Sequence, residues 1–495
     1  MKRLLFIVIC VIFIGEVNAQ SISDALKYSQ NNIQGTSRAA AMGNAFGSLG
    51  GDFTSVSINP AGIGVYRSGE FSITASYTDN NISADYLGTN SIESTNIFSI
   101  PSLSYVTTMK THASNKSSLV SVNFGLGFNR LNSFKLNRYV EGHNAQSSML
   151  DLFVENANEL GDPERFDSYN EYLAWKTYMI DRDDNSGSFY HKIADGRYGQ
   201  SQIKAFNQSG FVNEYNFSLG LNFNHKVYAG FSLGVHDVFF KELTDMIEYD
   251  PGNRFNNFDE YGFYTFLKTT GVGVNGKLGV IYKPVNELRL GFAIHTPTFY
   301  NLNDYYYNDM EAIAADDDGV IKKFSYNSPE GEFDYKLQTP AKAVLSASYV
   351  IGRGLISVDC DFIDYSKIKF REVGSYTNEL NKEVEQYLKP VVNFHVGGEF
   401  RLNDYFSLRA GYEYLPAPFA KSVNGYTQLN GDAKTFTYSG GLGWRYDNFS
   451  VDLAYKYYTY KHYMDIYIPS STSQFSSTRF SDSSDYLTLT FGFRF

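Results

Sequence analysis

Apolar and polar residues alternate one by one along much of this sequence. Near the C-terminus, positions 487–495 place leucine and phenylalanine on one face and threonine, glycine and arginine on the other. The same period of two recurs at 120–128 and at 449–455. Successive side chains of a β-strand point to opposite faces, so this period predicts strands with one apolar and one polar face.

Fourteen segments of this kind follow one another along the chain. They cover 66–78, 95–107, 118–131, 211–223, 227–240, 268–282, 287–300, 332–350, 354–370, 389–402, 405–415, 435–446, 449–463 and 485–495. An even number of strands of about ten residues, with lipid on one face and a polar lumen on the other, is typical of bacterial outer-membrane barrels. A soluble β-sandwich would have strands of about 5–6 residues. We therefore predict an all-β fold, a 14-stranded antiparallel transmembrane β-barrel over residues 66–495.

The connections between these segments alternate between short and long. Tight turns are expected at 224–226, 283–286, 351–353, 403–404 and 447–448, and long loops at 132–210, 241–267, 301–331, 371–388, 416–434 and 464–484. Outer-membrane barrels have short periplasmic turns and long extracellular loops. Both termini are therefore expected in the periplasm, and 132–210 is expected to be the longest extracellular loop.

The N-terminus carries a targeting signal. Lys2 and Arg3 precede an apolar run over 4–14, and Val17-Asn18-Ala19 provides a small-residue cleavage pattern. These features predict a secretory signal peptide over residues 1–19. The run is much shorter than the roughly 20 residues of a membrane-spanning helix, and no other stretch approaches that length. We expect a cell outer-membrane location and no helical membrane spans.

Composition excludes several functional classes. The chain has 40 Tyr and 40 Phe but only 2 Trp, a mean hydropathy of −0.30 and a net charge of −11. The charge is spread without a basic stripe, so nucleic-acid binding has no support. The 8 histidines are scattered and no Gly-x-Ser-x-Gly motif is present, so no catalytic residue and no enzyme activity are predicted. Cys360 alone remains after the signal peptide; we expect it to face lipid, and we predict no metal site and no cofactor.

The stretch before the first strand carries a family signature. It contains Gly35-Thr36-Ser37-Arg38-Ala39-Ala40-Ala41-Met42-Gly43 and, further on, Asn59-Pro60-Ala61-Gly62. It resembles the FadL/TodX family of outer-membrane hydrophobic-compound transporters, whose likeness extends over nearly the whole mature chain. The resemblance implies an N-terminal hatch, residues 20–65, that plugs the lumen. Its motif residues would be Gly35, Arg38, Gly43, Asn59, Pro60, Ala61 and Gly62. A plug is physically needed, because fourteen strands enclose a lumen too wide for wall side chains to fill.

The resemblance also implies a function. We expect passive outer-membrane transport of small hydrophobic molecules, either long-chain fatty acids or aromatic compounds, with a hydrophobic ligand and outer-membrane lipid as partners. Two alternatives come from relatives of the family. One is a heme-binding receptor, and the other is a scaffold of type IX secretion that binds secreted proteins.

Two sets of wall residues are candidates for ligand handling. Arg289 and Arg409 face inward by parity and could bind a carboxylate, although ion-pair ladders of the wall would use the same residues. The ligand pocket is expected to be mainly apolar, with aromatic residues of 299–307 at its rim.

A lateral opening is expected where the alternation breaks in the second segment. Proline cannot donate a ladder hydrogen bond. If the following turn is centred near His112, Pro101 lies opposite Phe124 and Gly125, with Gly127 close by. Family relatives have a kinked third strand that opens the wall sideways, whereas the alternative here is an ordinary β-bulge.

Overall fold

The computed structural model describes residues 21–111, 118–193, 198–252, 254–468 and 476–495. The predicted signal peptide, residues 1–19, and His112 lie outside these described residues. None of the described helices is long and apolar enough to cross a membrane.

Strands dominate the described chain. In chain order they are β1 Glu70–Tyr86, β2 Thr89–Lys110, β3 Leu119–Ser133, β4 Leu136–Gly142, β5 Ile180–Arg182, β6 Phe189–His191, β7 Ser201–Phe223, β8 Val227–Tyr249, β9 Phe258–Tyr282, β10 Leu288–His295, β11 Phe299–Ala315, β12 Ile321–Asn327, β13 Gly331–Gln338, β14 Lys342–Ile351, β15 Gly354–Asp364, β16 Lys369–Arg371, β17 Pro390–Arg401, β18 Phe406–Leu415, β19 Ser422–Val423, β20 Tyr426–Thr427, β21 Thr435–Tyr446, β22 Phe449–Met464 and β23 Thr478–Arg494. The α-helices are α1 Ile22–Ser29, α2 Ser37–Ala41, α3 Leu150–Leu160, α4 Glu171–Lys176 and α5 Thr377–Tyr387.

All of these strands except the hairpins β5–β6 and β19–β20 form one closed antiparallel barrel of fourteen passes, as the alternation predicted. The barrel closes where β1 pairs with β23, from Glu70–Arg494 to Asp85–Arg479. The seventh pass is split into β10 and β11, and the eighth into β13 and β14. Each split falls at a Thr-Pro sequence, at Pro297 and Pro340, because proline removes a ladder donor.

The expected face pattern is present. On β23, Leu487 and Phe491 are half exposed on the outer face, whereas Thr488 and Thr490 are buried inside. Cys360 is partly buried and lies between the exposed side chains of Val358 and Phe362. The barrel therefore presents apolar side chains outward and hydrogen-bonding groups inward.

The tight turns lie where the sequence placed them, and we call this end of the barrel the short-turn end. The opposite, long-loop end differs from expectation in one respect. The chain over 79–94 lies between two of the predicted strand segments, and β1 and β2 continue through it to a tight turn at Leu87-Gly88. Likewise most of 241–267 is strand. In the β1 extension the outward positions Asp79, Asn81, Ser83 and Asp85 are polar, whereas the inward residues Ile82, Ala84 and Tyr86 are buried. The apolar outer face that reveals a lipid-facing strand is therefore missing there.

The predicted long loop at 132–210 contains a folded unit. Helices α3 and α4 and the hairpin β5–β6 pack across the long-loop end of the barrel. Their core includes Leu150, Phe153 and Leu173, which join Met310 and Phe480 of the wall in one buried cluster. We call this unit the loop domain.

Candidate functional site

The N-terminal segment forms the hatch inside the barrel, as the motif resemblance implied. Helix α1 starts with a capping box, in which Ser21 and Asp24 bond each other's backbone N–H. This satisfies donors that a helix start leaves unpaired. Helix α2 and two short 3-10 helices, Phe53–Ser57 and Pro60–Val65, follow. From Gly35 to Gly64 almost every residue is buried.

Asn59 joins the hatch to the wall. Its Oδ1 accepts a hydrogen bond from the Ala61 N–H at 3.0 Å, so it caps the 3-10 helix that follows. Its Nδ2 donates to the carbonyl of Gly47 at 2.6 Å and to that of Val280, on wall strand β9, at 3.3 Å. Asn59 has no exposed surface, and a buried polar group needs such partners. Pro60 stands at the start of the helix, where no backbone donor is required.

The other motif residues are packed within the hatch. A Cβ on Gly35 would lie 2.1 Å from Thr54 Oγ1, and one on Gly62 would lie 2.3 Å from Ser55 Oγ. Gly43 has a φ of +59°, which favours glycine. Thr36 Oγ1 donates to the Asp52 carboxylate at 2.7–2.8 Å, which ties the start of α2 to the second half of the hatch.

Wall glycines allow this close fit. A Cβ on Gly279 would lie 1.9 Å from Asn59 Oδ1, and one on Gly230 would lie 2.2 Å from the Pro60 carbonyl. Further glycines approach hatch atoms in the same way from other strands, namely Gly125, Gly220, Gly291, Gly397, Gly411 and Gly441. We call this set the glycine belt. Because no wall side chains intervene, hatch backbone lies directly against wall backbone around the barrel.

The two candidate arginines lie on the short-turn side of the hatch. Arg409 forms ion pairs with Glu399 at 2.7 Å and with Asp452 at 2.6 Å, and hatch residue Arg38 also bonds Glu399, at 3.0 Å. Arg289 donates to the hatch carbonyl of Leu49 at 3.1 Å. Arg289 therefore joins the wall to the hatch directly, whereas Arg409 bonds two wall carboxylates, one of which also bonds Arg38 of the hatch.

Sequence reasoning missed a buried polar network on the opposite wall. Glu214 accepts hydrogen bonds from Lys277, from His236 at 3.1 Å and from hatch Ser57 at 2.6 Å. Tyr300 bonds the other ring nitrogen of His236 at 2.6 Å. The wall residues of this network all face inward by alternation. They lie on four different passes and are distant in sequence, so the sequence alone did not show that they meet.

The third pass is kinked, and its ladder with the second pass is short; we call the part of the wall beyond this ladder the gap. Strand β2 pairs with β3 only from Ser102–Asn129 to Lys110–Ser121. Beyond Asn129 the chain bends inward, and Phe134 packs on Tyr28 of the hatch and on Phe240. Among the described strands, the 89–101 part of β2 therefore has a ladder partner on one edge only, β1.

The register corrects one detail of the sequence analysis. Gly125 pairs with Val106 and Phe124 with Thr107, so neither lies opposite Pro101. The observed pairs, from Ser102–Asn129 to Lys110–Ser121, differ by several residues from those expected. The turn itself, including His112, lies outside the described residues. Pro101 instead lies next to a β-bulge opposite Ala75. It precedes Ser102, whose pair with Asn129 is the last one of the β2–β3 ladder. Gly125 faces Ile63 of the hatch, and a Cβ on Gly127 would meet the Leu103 carbonyl.

Hatch backbone covers the freed edge of β3 from within. The Gln34 N–H donates to the Arg130 carbonyl and the Asn32 N–H to the Leu131 carbonyl, both at 2.8 Å. Asn132 also accepts from the Asn32 N–H through its side chain, at 3.0 Å. The segment after α1 thus substitutes for the missing wall strand at the start of the gap.

A chamber of about 360 Å³ lies beside this gap, between the hatch and the loop-end half of the wall. Its apolar lining includes Leu26, Ile97, Phe134 and Leu136, and its polar lining includes Asn80 and many other amide and hydroxyl groups. The sequence prediction of a mainly apolar pocket is therefore wrong for this chamber. No residue of 299–307 lines it; Phe299 is exposed on the outer face and Tyr300 is buried in the network of Glu214.

The loop domain contains a buried carboxylate that is bonded to a histidine and a tyrosine. Asp151 on α3 bonds His191 Nε2 at 2.8 Å and the Tyr198 hydroxyl at 2.6 Å. Burial alone would raise the pKa of Asp151, but these hydrogen bonds outweigh it, so its pKa lies below the ordinary value. In the described ranges, no group of three or more His, Cys, Asp and Glu side chains is arranged to hold a metal ion.

Comparison with known proteins places these features in context. Residues 188–493 match the model of a family described as outer membrane protein transport protein (OMPP1/FadL/TodX). A FadL homologue from Pseudomonas aeruginosa superposes with a TM-score of 0.53 at 12% identity, covering 93% of this chain and 98% of that one. The toluene transporter TodX of P. putida gives a TM-score of 0.52 at 14% identity, covering 92% and 97%. No curated protein sequence matches.

Proposed function

Since the family model covers more than half of it, the chain belongs to the OMPP1/FadL/TodX family of outer membrane transport proteins, and we propose that it passes small hydrophobic molecules sideways through its wall. In this proposal the short-turn end and both termini face the periplasm, as in other outer-membrane barrels. The family is one of transport proteins, so no enzymatic step is required.

The observation that carries this proposal is the chamber beside an unpaired wall edge. The glycine belt leaves little room for a molecule to pass the hatch, and the loop domain covers the long-loop end. In this proposal the molecule therefore leaves the chamber through the wall next to β2. Phe98, 73% exposed, and Ile100, 44% exposed, lie on the outer face of the same stretch. Lipid would meet an apolar surface at that point.

A lateral exit also has an energetic advantage for an apolar molecule. Each methylene that avoids periplasmic water is worth about 0.8 kcal/mol, so a decyl chain avoids several kcal/mol. Outer-membrane lipid then receives the molecule directly. In this proposal Pro101 favours the lateral exit because it ends the β2–β3 ladder. Gly125 allows the hatch to pack closely against β3, and Gly127 allows the β3 backbone to pack closely against its neighbour.

We assign the ligand to long-chain fatty acids or small aromatic compounds. The mixed lining of the chamber suits a molecule with an apolar body and one hydrogen-bonding end, because sites combine apolar surface with a few polar anchors. That a structurally similar protein is a toluene transporter supports the aromatic class. Arg289 and Arg409 lie beyond the hatch, so in this route neither meets the ligand carboxylate.

The experiment is an uptake assay on cells or proteoliposomes that contain the protein, with labelled decanoate and toluene. Ile97 lines the chamber at the gap, whereas Ile92 on the same strand is 71% exposed. Ile97→Trp should slow uptake of both compounds at least tenfold, because the larger ring fills the path. Ile92→Trp is the matched control and should change uptake less than twofold. Normal uptake by a correctly inserted Ile97→Trp variant would contradict the lateral route.

A further inference from the structure

A second cavity, of about 480 Å³, opens at the short-turn end on the far side of the hatch from the chamber. Hatch residues Arg38 and Gly50 form one side, and the turn after β17 together with the adjoining ends of β21 and β22 forms the other. Seven arginines line it but only three carboxylates, those of Glu399, Asp404 and Asp452. We call it the turn-end cavity.

Most of the carboxylates that line the cavity already form ion pairs. Glu399 and Asp452 are both bonded to Arg409, and Glu399 also to Arg38. Arg494, on the last strand, is neutralised by Glu70 at 2.7 Å. These pairs hold the hatch to the wall and leave no free carboxylate except Asp404 in the exposed turn.

The remaining arginines have no such partner. Arg67, Arg401 and Arg445 line the mouth, are exposed, and form no direct ion pair with any described residue. Arg289 lies deeper, and its Nε is buried without an acceptor among the described residues. The cavity therefore has four more arginines than carboxylates, in a chain whose net charge is −11.

Such a concentration of like charge is unfavourable unless an anion relieves it. A concave cavity lined by one sign of charge focuses its field and raises the local concentration of the opposite sign. Guanidinium groups match the geometry of carboxylate and phosphate oxygens through paired N–H donors. The volume is within the range of small-molecule sites, about 300–1,000 Å³.

We propose that the turn-end cavity is an oxyanion site that binds the carboxylate or phosphate group of a small molecule. Arg401 and Arg445 contact the oxyanion from the wall, and Arg67 contacts it from the end of the hatch. This assignment goes beyond transport through the chamber and does not depend on it.

The test is isothermal titration calorimetry of the full-length protein in detergent at low ionic strength. Inorganic phosphate, citrate and decanoate serve as anionic probes, and decanol is the uncharged control. The variant Arg401→Gln/Arg445→Gln removes two charges without breaking an ion pair. The control variant Lys226→Gln/Lys283→Gln removes two charges from turns on the opposite side, outside the cavity. Heat-modifiable electrophoretic mobility establishes folding of each variant.

We expect at least one anion to bind, with affinity at least tenfold lower in the Arg401/Arg445 variant and changed less than threefold in the lysine control. Preference for phosphate over citrate and decanoate would assign a phosphate ligand, and the reverse preference a carboxylate. Absence of binding by all three anions, or an equal loss in both variants, would overturn the site. Ile97→Trp should leave the titration unchanged, so this result is independent of the uptake assay.

Discussion

Gly279→Ala is a sharp test of how the hatch is sealed. The added Cβ would lie 1.9 Å from Asn59 Oδ1 and 3.1 Å from Pro60 Cδ. Real Cβ atoms do not approach this closely, so the Asn59 amide or the wall must move by about 1 Å or more. The substitution adds a single methyl group.

The energetic effect follows from the bonds that Asn59 makes. Displacement of its amide breaks the bonds to Gly47 and Ala61 and leaves two buried backbone groups unpaired. Each such group costs about 1–3 kcal/mol, and the added methyl recovers at most about 0.8 kcal/mol. A net destabilisation of about 1–5 kcal/mol would raise the population of displaced hatch by roughly fivefold or more.

The assay is conductance of single molecules in a planar lipid bilayer, together with uptake of a hydrophilic dye by expressing cells. A displaced hatch opens a wide aqueous path, so Gly279→Ala should show frequent large openings that are rare in the unmodified protein. Insertion is checked by heat-modifiable electrophoretic mobility.

Gly276→Ala, on the same strand β9, is the matched control. A Cβ there would meet only Thr296 Cγ2, at 3.8 Å. This variant should remain closed. Equal conductance in both variants, with both correctly inserted, would refute the claim that the glycine belt seats the hatch.

Three further predictions concern other parts of the molecule. Arg409→Gln should reduce uptake of decanoate and toluene by similar factors, because Arg409 holds the wall; a selective loss of decanoate uptake would instead indicate a ligand contact. Lys277→Met leaves Glu214 charged and buried, so it should destabilise the barrel by about 3–5 kcal/mol in denaturant titration. Adding Glu214→Leu removes the buried charge and should recover much of this stability. A double variant as unstable as Lys277→Met would contradict the pairing. The lowered pKa of Asp151 stabilises the loop domain above the ordinary pKa of about 3.9, and this stability is lost as pH falls below it. The protease sensitivity of the loop domain should therefore rise as the pH falls, and it should rise less in the Asp151→Asn variant. The same dependence of protease sensitivity on pH in both proteins would count against the role of Asp151.

The barrel was predictable because lipid forces every spanning strand to show the same pattern. Leu487 and Phe491 must face apolar lipid while Thr488 and Thr490 face the interior, and this constraint applies to each pass. Strand number and the positions of the tight turns follow from it. The extensions of β1 and β2 beyond the membrane lack that constraint, so their sequence resembled a loop.

The site was harder to predict than the wall. The inward direction of Arg289 and Arg409 followed from parity, and Glu399 faces Arg409 on the neighbouring strand. The hatch partners Leu49 and Arg38, however, lie hundreds of residues away from these wall residues in sequence. The kink depends on Phe134 packing against the hatch, which no local pattern reveals. The expected register between β2 and β3 was wrong by several residues, so every cross-strand pair of that ladder was displaced.

The most direct test of lateral transport is a crystal structure of the protein soaked with a brominated fatty acid and, separately, with bromobenzene. Bromine gives an anomalous signal that identifies the ligand without ambiguity. We predict a peak in the chamber, among Leu26, Ile97 and Phe134, with the apolar body of the ligand directed toward the unpaired edge of β2. Bromine only on the lipid-facing surface, or only in the turn-end cavity, would contradict a route through the chamber.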